Sequence, residues 1–143
     1  MMPSLTSAAF VLFPLGRKRY ALPAARVSEL VRPDTLQTFP HTTKHVSGVL
    51  LRRGAILPVC DIAEVVAGKD VPPRKFYLIA VREIEGQRER TAIPVSGECE
   101  LANAELLPPT GKLPEYVRGL LSLKDEIVEV VDLEKLLAPE ANA

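Results

Sequence analysis

The chain has 143 residues, the size of one compact domain, and its 47% hydrophobic and 25% charged residues are typical of a globular protein. Its 18 Lys and Arg residues equal its 18 Asp and Glu residues in number, which argues against a general nucleic-acid binder and a polybasic membrane anchor. The longest apolar run, Ala8–Leu15, is too short to span a bilayer, which takes about 20 residues.

Short runs typical of β-strands recur between turn residues. The 13 prolines are scattered, and because proline interrupts helices they disfavour a helical bundle. The runs have four to seven residues, and most contain β-branched side chains. In chain order the predicted strands are Phe10–Phe13, Arg26–Val31, Val46–Leu51, Ala55–Cys60, Phe76–Val81, Thr91–Val95, Val117–Leu123 and Ile127–Val131.

Two segments follow the period of a helix instead. Asp61–Gly68 begins with an N-cap residue, has Glu64 three positions later as in a capping box, and carries its larger apolar residues on one face. Asp132–Ala138 repeats this pattern and is followed by Pro139. Each segment predicts a short helical turn capped by its aspartate.

The two helical turns belong to a longer internal repeat, whose period is about 71 residues. Residues 46–66 align with 117–137 without a gap, with six identities and five exchanges between aliphatic residues over 21 positions. Further matches extend the repeat to 21–66 against 92–137; chance similarity of β-rich segments is the alternative. We therefore predict one domain over residues 1–143, built from two similar halves that share a core, with a frayed tail at 138–143. Gly48 and Gly119 are equivalent, and we expect close backbone approach or a bend there.

Candidate chemical groups are few. His41 and His45 have the i, i+4 spacing of a metal pair, but no neighbouring Cys or carboxylate completes a site, so we interpret them as solvated loop residues. Cys60 and Cys99 form neither a zinc pattern nor a disulfide framework, and we expect reduced thiols that pack in the interior. No catalytic motif, metal site or cofactor is predicted.

The arginine pair before Gly54 is the charged feature that stands out. Arg52 and Arg53 lie between two apolar strands, so at least one of them must point outward. The second half has Leu123 and Lys124 at the equivalent positions, so the halves differ at this turn. The difference indicates that one half is specialised for a partner, and a solvated hairpin tip is the alternative.

Gly48–Ile62 resembles the signature of CheW-like domains, in which an Arg-Gly turn leads into an Ile/Leu-Pro-Val strand and an Asp-capped helix. Three further segments are similar to the family in order and spacing: Tyr20–Pro23 to its opening hairpin, Val27–Leu30 to its Val-x-Glu-Ile/Val strand, and Tyr116–Gly119 to the start of its closing segment. The resemblance covers about residues 8–138.

The resemblance implies a mainly β fold of two intertwined five-stranded SH3-like barrels that share one hydrophobic core, with two short helical turns. It also implies a cytoplasmic, non-enzymatic adaptor without a cofactor. Such adaptors couple the coiled-coil tip of chemoreceptors to the regulatory domain of a CheA-type histidine kinase. They join the membrane-associated receptor array through these partners, without entering the membrane or binding nucleic acid.

Residues carry over from the family position by position. The receptor or partner groove would include Val27, Glu29, Gly48 and Arg53. Leu51 and Arg52 stand where the family usually has Asn-Leu, which marks a partner-specific turn. By analogy, a kinase face on the second barrel would include Ile93, Val95, Gly97 and Gly119.

The altered turn leaves other functions open. The chain could serve a twitching-motility or other divergent pathway, or bind an unrelated motility or polarity factor. A small enzyme or ligand-binding barrel is a further alternative, and it would require a concave pocket with converging polar groups.

Overall fold

A computed structural model of the protein describes residues 7–32, 37–39, 48–68, 74 and 76–137. The strands are β1 (Ser7–Leu15), β2 (Lys18–Pro23), β3 (Val27–Val31), β4 (Gln37–Phe39), β5 (Gly48–Arg52), β6 (Ala55–Val59), β7 (Phe76–Ile84), β8 (Gln87–Val95), β9 (Glu100–Leu107), β10 (Val117–Leu123) and β11 (Glu126–Val131). The short helices are α1 (Ala63–Ala67) and α2 (Leu133–Leu136), and a 3-10 turn (Ala24–Arg26) joins β2 to β3. Within these ranges no helix has the length and apolar character needed to cross a membrane.

The eight strands predicted from sequence patterns are all present, although residues 46 and 47 lie outside the described ranges. The patterns missed β2, β4 and β9, although the family resemblance had placed Tyr20–Pro23 of β2 in an opening hairpin. Both predicted helical turns form, but α1 begins two residues after Asp61. His41, His45 and the expected tail at 138–143 also lie outside the described residues.

The strands form one closed barrel and one open sheet. The barrel has the order β1-β2-β11-β10-β9, and β9 closes it by pairing with both β10 and β1. The second sheet has the order β3-β7-β8-β6-β5-β4. The expected mainly β fold is confirmed; within the described residues the five-stranded sheet closes into a barrel, and the other sheet has six strands and stays open. In the six-stranded sheet, β3 pairs with β7 at one end of the order and β4 pairs with β5 at the other.

Each sheet combines strands from both halves of the sequence. The barrel takes β1 and β2 from the first half and β9, β10 and β11 from the second, so the two sheets are intertwined. Parallel pairing joins the halves: Val130 lies opposite Ala21, and Val59 lies opposite Ala92. The two pairs are equivalent under the repeat predicted from the sequence, because Ala21 corresponds to Ala92 and Val59 to Val130.

Strand alternation divides the apolar side chains among three clusters. On β1, Phe10 and Leu12 face the barrel interior, whereas Phe13 and Leu15 face the layer between the two sheets. A third cluster fills the concave side of the six-stranded sheet. The largest cluster, which we call the shared layer, includes Phe13, Leu15, Tyr20, Leu22, Ile62, Leu78, Ile93, Val95, Leu133 and Leu136. The expected shared core is present, and each sheet has an apolar cluster of its own beside it.

Local geometry explains why the second half of the repeat has a glycine at position 119 and an aspartate at position 132. A Cβ on Gly119 would lie 2.6 Å from the carbonyl oxygen of Leu107, so β10 and β9 approach too closely for a side chain, as expected. The Asp132 side chain caps α2 by accepting a hydrogen bond from the Lys135 backbone N–H at 3.2 Å. Asp61 differs: it accepts from the Ala63 N–H at 3.0 Å but stands before the N-cap position, so the expected N-cap is corrected.

Candidate functional site

A carboxylate on β3 and a guanidinium on β5 form the centre of the candidate site. Arg52 donates from Nη2 to Glu29 Oε1 at 2.8 Å and from Nε to Oε2 at 3.3 Å. β3 and β5 are four places apart in the sheet order, so this pair bridges the curled sheet. Hydrogen bonding from Arg52, with the nearby charges of Arg53 and Arg90, lowers the pKa of the Glu29 carboxyl.

Arg53 lies at the tip of the β5–β6 hairpin. Its Nη2 is 4.0 Å from Glu29 Oε1, and its side chain is 74% exposed. Arg53 and Gly54 have φ values of 52° and 79°, the pair of positive angles found in two-residue hairpin turns of type I′. The tight turn thus presents the Arg53 side chain to solvent beside the Glu29–Arg52 pair. Its role in binding a partner stays a prediction.

The other two residues assigned to the groove lie apart from this charge cluster. Gly48 is buried opposite Val59 at the far end of β5, about 13 Å from Arg52 at about 3.3 Å per strand residue. Val27 packs partly buried against the shared layer, and a register shift separates it from Glu29. The structure therefore brings Glu29, Arg52 and Arg53 together, while Val27 and Gly48 lie elsewhere, Val27 against the shared layer and Gly48 opposite Val59.

The outer side of the β5–β6 hairpin is apolar and exposed. Leu51 lies opposite Ile56, and these residues are 40% and 71% exposed. The half-buried pair Val49 and Pro58 continues the same side of the hairpin. We call Val49, Leu51, Ile56 and Pro58 the hairpin face. Of these four residues only Leu51 was predicted to belong to the site, although alternation along Ala55–Cys60 could have placed Ile56 and Pro58 on the side opposite the buried Leu57 and Val59.

The predicted kinase face requires correction. Ile93 and Val95 are 0% exposed and pack in the shared layer, because that side of β8 faces the barrel. They cannot contact a partner in this conformation. Gly119 is buried against β9, and Gly97 is half-buried near Pro14. The four residues therefore do not form one exposed surface.

Two further features were considered as sites of reaction or ligand binding: the two cysteines, and a small cavity between the halves. Burial raises the pKa of the Cys60 thiol, and it raises the pKa of Cys99 to about 11, so neither thiol is activated as a nucleophile at neutral pH. A cavity of about 10 Å³ beside Arg26, Asp132 and Glu134 has room for roughly one water molecule. Among the described residues, no group of three or more His, Cys, Asp and Glu side chains could hold a metal ion.

Comparison with known proteins places this chain in a family. The model of the CheW-like domain family matches residues 9–141. The chain is 29% identical over 141 residues to the chemotaxis protein CheW of Klebsiella aerogenes, covering 94% of this chain and 84% of that protein. It is 27% identical over 137 residues to protein FrzA of Myxococcus xanthus, covering 90% and 84%.

A solved structure shares the fold. The crystal structure of the scaffolding protein TtCheW from Thermoanaerobacter tengcongensis superposes with a TM-score of 0.74 at 23% sequence identity, covering 97% of this chain and 90% of that one. The fold likeness agrees with the family match, which spans nearly the whole sequence. The chain belongs to the CheW-like domain family.

Proposed function

We propose that the protein is a non-enzymatic adaptor that couples chemoreceptors to a CheA-type histidine kinase in the cytoplasm, at the receptor array. The observation that carries this proposal is the family match over residues 9–141. Relatives named chemotaxis protein CheW, of which the chain covers at least 84%, support the same function. On this proposal the chain joins the array through its partners, the receptor coiled-coil tip and the kinase regulatory domain.

The candidate site has the chemical character of a protein-binding surface. The hairpin face supplies exposed apolar area, and Arg53 supplies a solvent-facing charge at its end. Protein interfaces commonly combine an apolar centre with a polar rim, where charges steer association and select the partner. We assign partner contact to the hairpin face and Arg53. The ion pair of Glu29 and Arg52 ties the hairpin to β3.

Co-sedimentation with receptor-containing membranes and the CheA-type kinase tests this proposal. We expect the wild-type chain to sediment with both partners and to raise kinase activity. Arg53→Glu should weaken this binding about tenfold by reversing the rim charge. Lys124→Glu reverses a charge at the equivalent turn of the barrel and is the matched control.

Thermal unfolding of both variants should resemble that of the wild type, since both side chains are exposed. Unchanged binding of Arg53→Glu would remove Arg53 from the site. Failure of the wild-type chain to bind either partner would contradict the adaptor function.

The alternative adaptor functions differ in the identity of the partner. A pull-down from the native cell, scored for a CheA-type kinase, distinguishes them. Recovery of the kinase supports chemotaxis coupling. Recovery of another motility or polarity factor without a kinase would instead support the twitching-motility or divergent-pathway function that the altered Leu51-Arg52 turn raised.

A further inference from the structure

Three arginines of the six-stranded sheet act on one carboxylate, that of Glu29. Arg52 and Arg53 approach Glu29 from the β5–β6 hairpin. Arg90 lies on β8 opposite Val81, and strand alternation places it on the same concave side of the sheet as Ala92. We call Glu29, Arg52, Arg53 and Arg90 the arginine mouth.

The closed barrel has an equivalent group of charged residues with a different charge balance. We call Arg19, Glu100, Lys124 and Glu126 the barrel mouth. In the alignment of the two halves, Arg90 corresponds to Arg19 and Glu29 to Glu100. Arg19 forms ion pairs with both Glu100 and Glu126. The counterpart of Glu126 in the arginine mouth is Ala55, so the second carboxylate is missing there.

Of the two remaining arginines of the arginine mouth, Arg52 and Arg53, Arg52 increases the difference in charge between the two mouths. Arg53 corresponds to Lys124, but Arg52 corresponds to the uncharged Leu123. The arginine mouth therefore has three cations and one carboxylate, whereas the barrel mouth has two cations, Arg19 and Lys124, and two carboxylates. Since the whole chain has a formal net charge of zero, the surplus is local to the arginine mouth.

The surplus cations are available to a ligand. Both carboxylate oxygens of Glu29 already accept hydrogen bonds from Arg52. Arg53 is 4.0 Å from that occupied carboxylate. Arg90 is exposed and forms no ion pair with any residue in the described part of the chain. Guanidinium groups bind carboxylates through paired hydrogen bonds, so two such groups suit a segment with more than one acidic side chain.

We propose that the arginine mouth binds an acidic, carboxylate-bearing segment of a partner protein, with Arg53 and Arg90 pairing with its side chains while Arg52 stays on Glu29. The inference deepens the proposed adaptor function, on which it rests, because Arg53 belongs to the proposed partner surface. It adds a partner chemistry and a residue, Arg90, that the sequence analysis did not assign to the site. The absence of a second carboxylate leaves room for one supplied by the partner.

Peptide binding tests the proposal without kinase or receptor. A fluorescein-labelled hexaglutamate peptide and a hexaglutamine peptide of the same length are titrated with the full chain, and fluorescence anisotropy is measured at low and physiological salt. We expect the hexaglutamate peptide to bind more tightly, with affinity that falls as salt screens the charges. The double variant Arg53→Gln/Arg90→Gln should bind it at least about tenfold more weakly. Lys124→Gln, at the barrel mouth, should bind like the wild type.

Several outcomes would overturn the proposal. These are equal binding of the two peptides, wild-type affinity in the double variant, and an equal loss of affinity in Lys124→Gln. A phosphoserine peptide that binds more tightly than hexaglutamate at matched charge would also overturn it, by assigning the mouth to phosphate. All variants remove exposed charges, and unchanged thermal unfolding verifies their fold. The adaptor function is scored separately by co-sedimentation, so either proposal can fail while the other stands.

Discussion

Arg52, rather than Arg53, holds the carboxylate of Glu29. The two hydrogen bonds from Arg52 are 2.8 and 3.3 Å long, whereas the nearest nitrogen of Arg53 is 4.0 Å away. The pair is formed between strands that are four places apart in the sheet order, so it limits how far the curled sheet can open. The family resemblance implied that Glu29 and Arg53 share the groove and that Arg52 belongs only to a partner-specific turn.

This pairing predicts unequal effects of the two arginines on Glu29. Arg52→Gln should raise the pKa of the Glu29 carboxyl clearly, because it removes both hydrogen bonds that favour the ionised form. Arg53→Gln removes only a nearby charge and should raise that pKa less. Carboxyl NMR titration of the two variants measures both changes. An equal or larger effect of Arg53→Gln would contradict the observed geometry.

The lowered pKa values of Glu29 and Glu134 predict a loss of stability in acid. Burial raises the pKa of Glu134, but the Glu83 backbone N–H and the Arg26 guanidinium outweigh it and lower that pKa overall. Below the ordinary Glu pKa of 4.5, the unfolded chain binds more protons than the folded chain. The free energy of unfolding therefore decreases as the pH is lowered. Above that pH the stabilisation is complete.

Urea unfolding between neutral pH and about pH 3 measures this loss. Glu29→Gln and Glu134→Gln should each reduce stability at neutral pH and flatten the decline in acid. Glu115→Gln, at an exposed position, is the control and should leave the decline as it is. A wild-type profile in the two test variants would show that neither carboxylate contributes.

Gly119→Ala should weaken the closure of the barrel. The new Cβ would lie 2.6 Å from both the Leu107 carbonyl oxygen and a methyl carbon of Leu106, and the backbone oxygen cannot move without disturbing β9. Such overpacking costs about 1–3 kcal/mol, which urea unfolding would detect. Gly97→Ala is the matched control, because its Cβ would meet Pro14 Cγ at an ordinary 3.5 Å. Equal stability of the two variants would contradict the close approach.

Tyr20→Phe should destabilise the contact between α1 and the barrel. The Tyr20 hydroxyl donates to the Val66 carbonyl at 2.9 Å, and in the other half Arg82 donates to the Leu137 carbonyl at 3.0 Å. Val66 and Leu137 are equivalent positions of the repeat, so matching helix ends are held by different side chains. Loss of the hydroxyl should cost about 1 kcal/mol in thermal or urea unfolding.

Tyr77→Phe is the control for this change, because no described residue forms a hydrogen bond with the Tyr77 hydroxyl. It should unfold like the wild type. If Tyr20→Phe also did so, the hydroxyl bond to Val66 would contribute nothing measurable to the free energy of unfolding.

β9 shows where prediction from local pattern failed. Glu100–Leu107 contains Glu, Leu, Ala and Asn, no β-branched residue, and three kinds of strong helix former. It is nevertheless the strand that closes the barrel. The edges of β1 and β10 present backbone groups that need hydrogen-bond partners, and pairing with both outweighs the weak local propensity.

Only part of the candidate site could be predicted, because some of its contacts depend on the tertiary structure. The turn at Arg53-Gly54 could be predicted from residues close together in the sequence, whereas Glu29 was assigned to the groove through the family resemblance. The choice of Arg52 as ionic partner, and the nearness of Arg90, depend on how far the six-stranded sheet curls. Ile93 and Val95 were assigned by analogy with the family, and the assignment failed because β8 is buried on both sides from Thr91 to Val95.

The sequence by itself determined the β-rich class, the positions of most strands, the Asp132 cap and the internal repeat, because these depend on local periodicity and on similarity between segments. Only the tertiary structure decided that the halves exchange strands, with Ala21 beside Val130 and Ala92 beside Val59. It also decided that one sheet closes while the other stays open within the described residues. Pairing between distant strands is set by backbone hydrogen bonds and by burial on both faces, and neither can be obtained from the spacing of residues along the chain.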